Sequence, residues 1–527
     1  MKVLFGKKVW QVLIISFLLG SSLLQELEAV TLASDDVQRQ RHNWQAQVLL
    51  KNLQKISQSG RFIFGQQRAT LTGVGEYGQD WWNDSQFGRD SDVKRITGHE
   101  VGLLGIDAWD LAIKSSLWNR SAYSQAIRRF YRSAQGGVIT LDWHMRACDV
   151  REELGSYGEY SIPGWGFKID KWDHDSNRSC LCRIVNEEPW YGGKTWKNWL
   201  FEQKLGQLAE LLRREGLTDI PMIFRPFHEH NGSWFWWGQK SWNCQQHLGR
   251  SDVISGAEAY KKLFRMTVDY LRYDQGFDNF LYAYSTDRLC KHEGHTCDVW
   301  RAKMDSAYDD ELQKDYLYAY PGDDYVDILG IDLYFTANYG HHWQTPEYQE
   351  QVFGRYVKAV SDIAKNKGKV AAITEIGNNN IHQEKDSGSK WFSEHLMQMI
   401  QRNGSEIAFA MVWENREAKP GHYFIPHRTH AGVHDFLRFS ENQNSLFYPD
   451  IKGIYEESFW QNEEPSSDHP YCQSTDSDAD GDGWGWENNK SCLVKEGSSV
   501  PTCQSADSDQ DGDGWGWENG QSCLVRW

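Results

Sequence analysis

MIFRPFHEHNGSWFWWG, residues Met222 to Gly238, joins a short apolar run, an acidic residue and an aromatic cluster. Its start, Met222 to Phe224, is too short for a helix and lies between two prolines, which predicts a buried strand. Glu229 follows the end of that strand, beside His228 and several aromatic residues. Burial against such surfaces raises the pKa of a carboxyl group, so Glu229 is placed to hold a proton at neutral pH.

An aromatic cluster follows Glu229 directly. Asn231 and Gly232 predict a turn, and the next residues offer flat apolar faces of the kind that stack on sugar rings: Trp234, Phe235, Trp236 and Trp237. The simpler alternative is a core strand with a surface glutamate and a structural aromatic cluster. HEHNG followed by WFWWG favours a catalytic, sugar-binding segment over that alternative.

From residue 62 the sequence repeats a pattern of strand, connection and helix. The predicted strands are Phe62 to Gln66, Gly102 to Asp107, Val138 to His144, Met222 to Phe227, Phe280 to Ser285, Val326 to Tyr334, Val370 to Glu375 and Ile407 to Trp413. Apolar residues at three- and four-residue spacing predict helices between several of them, at Trp199 to Glu215, Ala257 to Tyr273 and Tyr348 to Lys367. This alternation predicts an α/β fold, a (β/α)₈ TIM barrel, with the active site at the C-terminal ends of its strands.

Two glutamates occupy such strand ends. Glu229 follows the fourth predicted strand and Glu375 ends the seventh, which places them on opposite sides of one barrel mouth. Retaining glycosidases need two carboxyl groups roughly 5 to 5.5 Å apart, one to attack the anomeric carbon and one to shuttle the proton. The sequence therefore predicts Glu229 and Glu375 as a catalytic pair.

The segment RPFHEHNGSWFWWG resembles the acid/base segment of glycoside hydrolase family 26. VAAITEIG, Val370 to Gly377, resembles the nucleophile segment of that family, and the resemblance spans Phe62 to Phe439. His228 stands where neighbouring barrel glycosidase families usually have asparagine. The resemblance implies a retaining endo-β-1,4-mannanase. The alternatives are a β-1,3-xylanase or a mixed-linkage β-glucanase of the same family, or a lectin that has lost catalysis, which the presence of both glutamates disfavours.

The same resemblance implies roles for individual residues. Glu375 would be the nucleophile and Glu229 the acid/base, with no cofactor needed for catalysis. Trp234 and Trp413 would be sugar platforms, and Tyr334 would hydrogen-bond the nucleophile. Arg225 and His228 would orient the glutamates or the sugar 2-hydroxyl, and His144 and Asp332 complete the substrate-binding set. Any one of these, taken alone, is more often a packing residue, but their joint placement at strand ends favours a site.

The N-terminus predicts export. Three lysines precede the apolar stretch Val9 to Gly20, and two candidate small-residue cleavage sites follow, ending at Ala29 and at Ala33. This pattern indicates a signal peptide, which covers residues 1–29 if the first site is cleaved. A retained anchor is the alternative, and no later segment is long and apolar enough to span a bilayer. The net charge of −17 argues against a nucleic-acid partner. We expect a secreted monomer, extracellular or periplasmic, with its catalytic domain over residues 38–460 and a β-linked polysaccharide as partner.

Ten cysteines in an exported chain indicate disulfides. Six lie in the predicted barrel, at Cys148, Cys180, Cys182, Cys244, Cys290 and Cys297, and allow fifteen connectivities. Cys290 and Cys297 are close enough to staple one loop, whereas Cys180 and Cys182 are too close to pair easily. A zinc site is the less favoured alternative, because CLC has no matching histidine pair.

Two connections in the predicted barrel are unusually long. One lies between His144 and Trp199 and is rich in glycine, tryptophan and cysteine, and the other runs from Leu289 to Tyr318. Loops of this length on a catalytic face usually shape the binding cleft. Such loops either narrow the cleft so that it accepts the ends of polysaccharide chains, or lengthen it so that it binds along a polymer. The sequence leaves both alternatives open.

A polar linker, residues 461–471, separates the barrel from two near-identical units at Cys472 to Val494 and Cys503 to Val525. We expect each unit to be stapled by a disulfide between its terminal cysteines, because it is too small to hold a core unaided. Their shared GWGWE segment resembles that of family 10 carbohydrate-binding modules, although those modules are longer and lack the acidic run. If the tryptophans instead form miniature cores, the units bind no sugar.

The acidic run in each unit has the spacing of a calcium loop. Carboxylates at positions 1, 3, 5, 7 and 12, with glycine at position 6, are how oxygen ligands surround Ca²⁺. The predicted ligands are Asp476, Asp478, Asp480, Asp482 and Glu487 in the first unit, and Asp507, Asp509, Asp511, Asp513 and Glu518 in the second. The alternative, a solvated acidic linker, does not require the glycine and the final glutamate to recur in register.

Overall fold

A computed structural model describes two parts of the chain. It covers residues 42–460 except 75–79, 83–89, 113–116, 133–135, 146–147, 149–178, 291–308, 337–344, 380, 382–389 and 417–421, together with 484–487, 490–493, 515–518 and 521–524. Internal contacts divide the chain into two units, with the boundary between Phe459 and Trp460. The first unit contains the predicted barrel strands, and the second contains the predicted repeats.

Eight parallel strands form a closed barrel in the first unit. They are β1 (Phe62–Gln67), β2 (Leu103–Asp107), β3 (Val138–Asp142), β4 (Met222–Arg225), β5 (Phe280–Thr286), β6 (Ile328–Phe335), β7 (Val370–Asn378) and β8 (Phe409–Val412). Each strand pairs with the next in sequence, and β8 pairs with β1 to close the ring. This confirms the predicted (β/α)₈ barrel.

Among the described residues of the first unit, three short strands lie outside the ring. Ser445–Leu446 runs parallel to the start of β1, and Thr72–Val74 pairs antiparallel with Asp80–Trp82. This antiparallel pair follows β1, so it belongs to the connections at the C-terminal ends of the barrel strands.

Helices connect the barrel strands. The α-helices are Trp44–Gln58, Asp92–Thr97, Ala108–Ala112, Leu117–Arg132, Cys180–Val185, Trp196–Trp199, Gly206–Arg214, Cys244–Leu248, Ala257–Asp269, Asp309–Leu317, Pro346–Lys367, Met397–Gln401 and Val433–Glu441. Wider π-type turns occur at Leu200–Leu205, Tyr270–Asp274 and Trp391–Leu396, and 3₁₀ turns at Tyr191–Gly193, Gln239–Ser241 and Tyr448–Ile451. Helices are present in all three stretches where the sequence predicts them.

The helix before β7, Pro346–Lys367, begins and ends at residues that favour helix ends. Thr345 accepts a hydrogen bond from the backbone N–H of Tyr348 at 3.3 Å, and Pro346 occupies the first helical position, where no N–H is needed. Gly368 ends the helix in the left-handed conformation. The 22-residue helix packs against β6 and β7, the strands that carry the predicted nucleophile and its neighbours.

The eight strands were predicted correctly, but their ends differ by a few residues. The fourth ends at Arg225 rather than Phe227, because Pro226 has no N–H to donate and Phe227 has φ of 53°. The seventh extends to Asn378, three residues past the predicted end at Glu375.

A β-bulge in β7 sits next to the predicted nucleophile. Ile331 of β6 is opposite Ile373, but the next residue, Asp332, is opposite Glu375, so Thr374 is an extra residue in the ladder. A bulge re-aims the side chains that follow it. Here it brings both Thr374 and Glu375 beside Asp332.

Two disulfides lie in the connections after β3 and β4, one within the first connection and one between the two. Cys148 pairs with Cys180, and Cys182 pairs with Cys244, so the neighbouring cysteines of the CLC motif bond to different partners, as their spacing predicts. Cys290 is also disulfide-bonded, and the proposed partner Cys297 lies outside the described residues. These bonds bear out the disulfide interpretation over the zinc alternative for these cysteines.

The second unit contains two β-hairpins in its described residues. Trp484–Glu487 pairs antiparallel with Lys490–Leu493, and Trp515–Glu518 pairs in the same way with Gln521–Leu524. The two predicted repeats therefore share one local structure. The eight loop aspartates proposed as calcium ligands lie outside the described residues, and the side chains of Glu487, Glu518 and the repeat cysteines are likewise not described.

Within the residues that the structure describes, no helix has the length and apolar character needed to cross a bilayer.

Candidate active site

Three carboxyl groups converge at the C-terminal mouth of the barrel. Glu229 follows β4, Asp332 lies on β6 and Glu375 lies on β7, and one oxygen of each lies within 4.8 Å of the others. Asp332 and Glu375 are buried, while Glu229 is partly exposed. The two glutamates predicted as a pair from distant parts of the sequence are therefore brought together, at a spacing close to that required for a retaining glycosidase.

The loop that carries Glu229 is held in an unusual backbone conformation. Phe227 and Glu229 have φ of 53° and 52°, in the left-handed region that side chains rarely adopt. The backbone N–H of Glu229 donates to the carbonyl of Ser285 at 3.1 Å, which ties the loop to the end of β5. Gly232 is needed in the following turn, because a Cβ there would lie 2.5 Å from the ring of Trp234.

Trp234 in turn contacts the carboxyl group of Glu229. Its indole Nε1–H donates to Glu229 Oε2 at 2.6 Å, and the ring remains partly exposed. This arrangement places a flat aromatic surface directly beside the proposed acid/base, where a sugar ring would lie.

The environment of Glu229 favours its neutral form. Burial raises the pKa of this carboxyl group well above its usual range, and the nearby carboxylates of Asp287, Glu375 and Asp332 raise it further. The hydrogen bond from Trp234 acts in the opposite direction but is the weaker effect. Glu229 is therefore suited to donate a proton at neutral pH.

Glu375 is held by two hydrogen-bond donors. Arg225 Nη2 donates to its Oε1 in a buried ion pair, and the Tyr334 hydroxyl donates to its Oε2 at 2.6 Å. Arg225 is fully buried, and the carboxylates of Asp332 and Glu375 raise its pKa despite that burial. The positive charge beside Glu375 is therefore permanent.

Asp332 connects the strands beneath this pair. Its Oδ2 accepts from Arg225 Nη1 at 2.9 Å, and its Oδ1 accepts from the hydroxyl of Thr374, the bulge residue, at 2.6 Å. Burial raises the pKa of Asp332, an effect that Arg225 opposes and Glu375 reinforces. Asp332 thus orients Arg225 toward Glu375. Asp332 was predicted to belong to the substrate-binding set, but in the structure it contacts Arg225 directly.

His144 lies on the β3 side of the same mouth. Its Nδ1 is 3.2 Å from Asp107 Oδ2 and 3.1 Å from Asp142 Oδ2. Although burial lowers the pKa of His144, the two aspartates more than compensate and raise it to about 10. His144 is consequently an imidazolium at neutral pH, with an N–H donor on each ring nitrogen.

His228 and Trp413 flank His144. The rings of His144 and His228 are 4.7 Å apart, and those of His144 and Trp413 are 5.6 Å apart, both edge to face. Burial, together with the positive charges of Arg225 and His144, lowers the pKa of His228 well below its usual value. The two histidines therefore carry different charges, although both were predicted as substrate contacts.

Not all of the aromatic cluster faces the mouth. Phe235, Trp236 and Trp237 are buried. Phe235 stacks on Trp237 at 4.4 Å, and Trp236 Nε1 donates to the carbonyl of Met145 at 2.9 Å. The expectation that these three rings offer sugar-stacking faces was therefore wrong. They pack the base of the loop, and Trp234 is the partly exposed member of the four.

Sequence reasoning missed a charged cluster beside the site. Arg68 follows β1 and forms buried ion pairs with Glu414, at 2.5 Å, and with Asp110. It also approaches Asp107, the partner of His144, at 4.0 Å. A signal was present, because each of these residues ends or follows a predicted strand at the C-terminal end of the barrel.

Asp287 was also missed. It follows the last residue of β5 directly and is buried. The other site residues were predicted because they lie at the ends of barrel strands, and Asp287 has the same kind of position. Asp287 differs from them because the family resemblance assigns it no role.

The mouth therefore combines a neutral carboxyl group, that of Glu229, with a carboxylate, that of Glu375, which an arginine and a tyrosine hold in place. A cationic histidine, His144, lies beside them. Carboxyl oxygens this close are also spaced for a cation, but Arg225 already supplies positive charge to two of the three. An acid beside an oriented carboxylate can protonate a leaving oxygen while the carboxylate attacks the carbon.

Comparisons with known proteins agree with this geometry. The model of glycosyl hydrolase family 26 matches residues 38–403. A model described as a cellulose or protein binding domain matches residues 459–494 and again 495–525. A mannan endo-1,4-β-mannosidase from Bifidobacterium adolescentis is 29% identical over 412 residues, which cover 74% of this chain and 33% of the relative.

Solved structures are also similar. A β-mannanase of family 26 from Bacteroides ovatus has 26% sequence identity and a TM-score of 0.56, and the match covers 79% of this chain and 98% of that one. A modular endo-β-1,4-mannanase from Cellulomonas fimi has 25% identity and a TM-score of 0.57, over 79% of this chain and 78% of that one. In contrast, the chain spans about a third of the length of the sequence relatives it matches first.

Proposed function

Because the chain belongs to glycosyl hydrolase family 26, we propose that it is a retaining endo-β-1,4-mannanase that hydrolyses mannan-type plant polysaccharide. The observation that carries this proposal is the pairing of a neutral Glu229 with an arginine-bound Glu375, with oxygens of the two groups within 4.8 Å. The mannan-degrading relatives support the choice of substrate.

Double displacement uses the two glutamates in turn. In the first step a carboxylate oxygen of Glu375 forms a bond to the anomeric carbon, and the glycosidic oxygen leaves with the proton from Glu229. In the second step Glu229 removes a proton from water, whose oxygen bonds to the anomeric carbon and releases Glu375 as a carboxylate. Family 26 chemistry needs no cofactor for these steps.

The surrounding residues supply charge and orientation. Arg225 and Tyr334 hold Glu375 from two directions, which limits its rotation before attack. As its bond to carbon forms, the carboxylate loses negative charge, so these donors also ease the return of that charge in the second step. Asp332 assists indirectly, by fixing the guanidinium of Arg225.

Substrate contacts are assigned to the residues around this centre. Trp234 and Trp413, both partly exposed, would stack on sugar rings on either side of the scissile bond. His144 would donate from its protonated ring, and the neutral His228 would contact a hydroxyl near Arg225. These four residues come from three different strand ends, so together they would contact several parts of the substrate.

A panel of pure polysaccharides tests the proposal. The protein should depolymerise β-1,4-mannan and produce a range of oligosaccharides early in the reaction, as endo cleavage requires. Preferred cleavage of β-1,3-xylan or mixed-linkage β-glucan would replace the proposed substrate with one of the alternatives. Release of a single small product from the start would replace endo with exo action.

For the C-terminal repeats we propose polysaccharide binding that depends on calcium. The match to a cellulose or protein binding domain supports a binding role, and the twice-repeated spacing of acidic residues supports the ion. Two weak sites in tandem gain avidity on a polymer, because the first contact keeps the second site close to its surface.

We further propose that the protein is exported and acts as a monomer. The N-terminal sequence supports export, and the disulfides Cys148–Cys180 and Cys182–Cys244 are consistent with an oxidising compartment. N-terminal sequencing of the exported protein tests cleavage after Ala29, and light scattering tests the monomer.

A further inference from the structure

Two buried side chains hold the backbone that leads into Glu229. The Tyr260 hydroxyl donates to the carbonyl of Phe227 at 3.0 Å, and the Trp237 indole N–H donates to the carbonyl of His228 at 2.7 Å. These carbonyls belong to consecutive peptide groups, and the second group ends at the N–H of Glu229. All four partners are buried, so water has little access to replace a lost donor.

The two bonds act where the backbone conformation is unfavourable. Phe227 and Glu229 have φ of 53° and 52°, values at which a Cβ crowds its own backbone. Such a conformation persists where the surrounding structure fixes it. A peptide group that loses its donor is free to rotate, and rotation between Phe227 and His228 would carry the side chain of Glu229 away from its place at the mouth.

We propose that Tyr260 and Trp237 are positioning residues for Glu229, which hold its backbone so that its carboxyl group reaches the leaving oxygen. This inference rests on the proposed glycosidase function, because it requires Glu229 to act as the acid. It goes beyond that function, because the family resemblance gives Tyr260 no role, and Trp237 was predicted to stack on sugar but is buried.

The Tyr260 side chain is itself fixed in place. Tyr260 lies on the helix Ala257–Asp269, and its ring stacks on that of His230 with centroids 4.2 Å apart. Burial raises the pKa of its hydroxyl well above the usual value, so the hydroxyl keeps its proton throughout the neutral range. Tyr260 therefore connects a barrel helix to the acid/base loop through a permanent donor.

Trp237 belongs to the same buried aromatic cluster. Its ring stacks on Phe235 at 4.4 Å and meets Phe227 edge to face at 5.7 Å. Its carbonyl accepts from the Trp242 indole N–H at 3.0 Å, and the Trp242 ring lies 5.7 Å from that of Tyr260. The two donors are therefore held by one set of packed rings, which suits a shared role in fixing the loop.

The test compares Tyr260→Phe with wild type on two substrates. On mannan oligosaccharides, Tyr260→Phe should lower kcat by about 10-fold with a smaller change in KM, because a displaced acid slows the chemical step. On an aryl mannoside with a very good leaving group, the first release of the aryl group needs no acid. Stopped-flow measurement should therefore find that step close to wild type.

Tyr282→Phe is the matched control. Tyr282 is as buried as Tyr260, but it lies on β5 where its backbone N–H donates to Asp327, the residue before β6. This variant removes a buried tyrosine hydroxyl at the N-terminal side of the barrel, away from the acid/base loop. It should leave kcat on both substrates near wild type.

The outcomes separate the two proposals. Equal losses on both substrates, wild-type kcat on both, or the same pattern in Tyr282→Phe would contradict the positioning role. Wild type that leaves β-mannan intact contradicts the proposed substrate instead, and the same comparison is then made on the glycoside that it cleaves. Should Tyr260→Phe fail to fold, Trp237→Phe removes the other donor and is judged by the same difference between substrates.

Discussion

The hydroxyl of Tyr334 on β6 donates a hydrogen bond to Oε2 of Glu375 on β7, at 2.6 Å. The two strands are neighbours, and Tyr334 is opposite Gly377, two residues past Glu375 in the ladder. Burial and the charge of Glu375 both raise the pKa of Tyr334 well above its usual range, so its proton stays in place throughout the neutral range. This contact fixes one oxygen of Glu375 while Arg225 holds the other.

Tyr334→Phe should therefore lower kcat by about 10- to 100-fold with a smaller change in KM, because it removes a donor to the reacting carboxylate. Steady-state kinetics on mannan oligosaccharides measure this. Tyr320→Phe is the control, since it removes a hydroxyl bonded to Asp323 at 3.0 Å in the loop before β6. Equal loss in both variants would show that the effect is general destabilisation.

Glu375→Ala and Glu229→Ala should each lower turnover on mannan by several orders of magnitude, because each removes one half of the double displacement. An aryl mannoside with a very good leaving group needs no acid in the first step, so it should partly rescue Glu229→Ala and leave Glu375→Ala inactive. Stopped-flow release of the aryl group distinguishes the two. Rescue of both variants to the same extent would refute the separate roles.

The cluster around Arg68 should make folding sensitive to acid. Although burial raises the pKa of Glu414, Arg68 and His422 lower it from the ordinary value of 4.5 to about 2. The native state thus favours the carboxylate, so Glu414 contributes stability that is present above about pH 4.5 and is lost as the pH falls toward 2.

Glu414→Gln should lower the free energy of unfolding at pH 7 by roughly 3 kcal/mol, because it leaves a buried guanidinium short of one partner. It should also weaken the acid dependence between pH 4.5 and 2, measured by urea unfolding at a series of pH values. Glu406→Gln removes a surface pair with Lys365 and should cost less than about 1 kcal/mol. An equal cost for both would contradict the buried pairing.

Calcium should control the C-terminal repeats without affecting catalysis. In the full chain, a chelator should abolish binding to insoluble cellulose or mannan and leave the turnover of short soluble oligosaccharides unchanged, since the barrel does not depend on the loops. Pull-down and activity assays on one preparation measure both. Asp480→Ala combined with Asp511→Ala should mimic the chelator, and binding that ignores both treatments would remove calcium from the account.

Hydrophobic periodicity and position at strand ends were enough to predict the barrel and its two glutamates from the sequence. The eight strands were found because parallel strands buried on both faces give short apolar runs, and Glu229 and Glu375 were found because each follows such a run. The resemblance to a known family then suggested partners for them. Hydrogen bonds from Arg225 and Tyr334 to Glu375 agree with that suggestion.

The remainder depended on information absent from local sequence. The sequence does not distinguish Trp236 and Trp237 from Trp234, because all three are tryptophans in one short segment. The path of the backbone after Gly232 decides which ring is buried. The pairing of Arg68 with Glu414 joins residues 346 positions apart. The bulge at Thr374 leaves no mark in an apolar run, although it determines that Glu375 faces Asp332.

The anomer first released from a mannan oligosaccharide tests the central claim most directly. Proton NMR, recorded before mutarotation proceeds, distinguishes the α and β anomers of the new reducing end. If Glu375 attacks the anomeric carbon and Glu229 then activates water, the β anomer must appear first, because two inversions restore the original configuration. Initial appearance of the α anomer would contradict the double displacement and the assignment of Glu375 as its nucleophile.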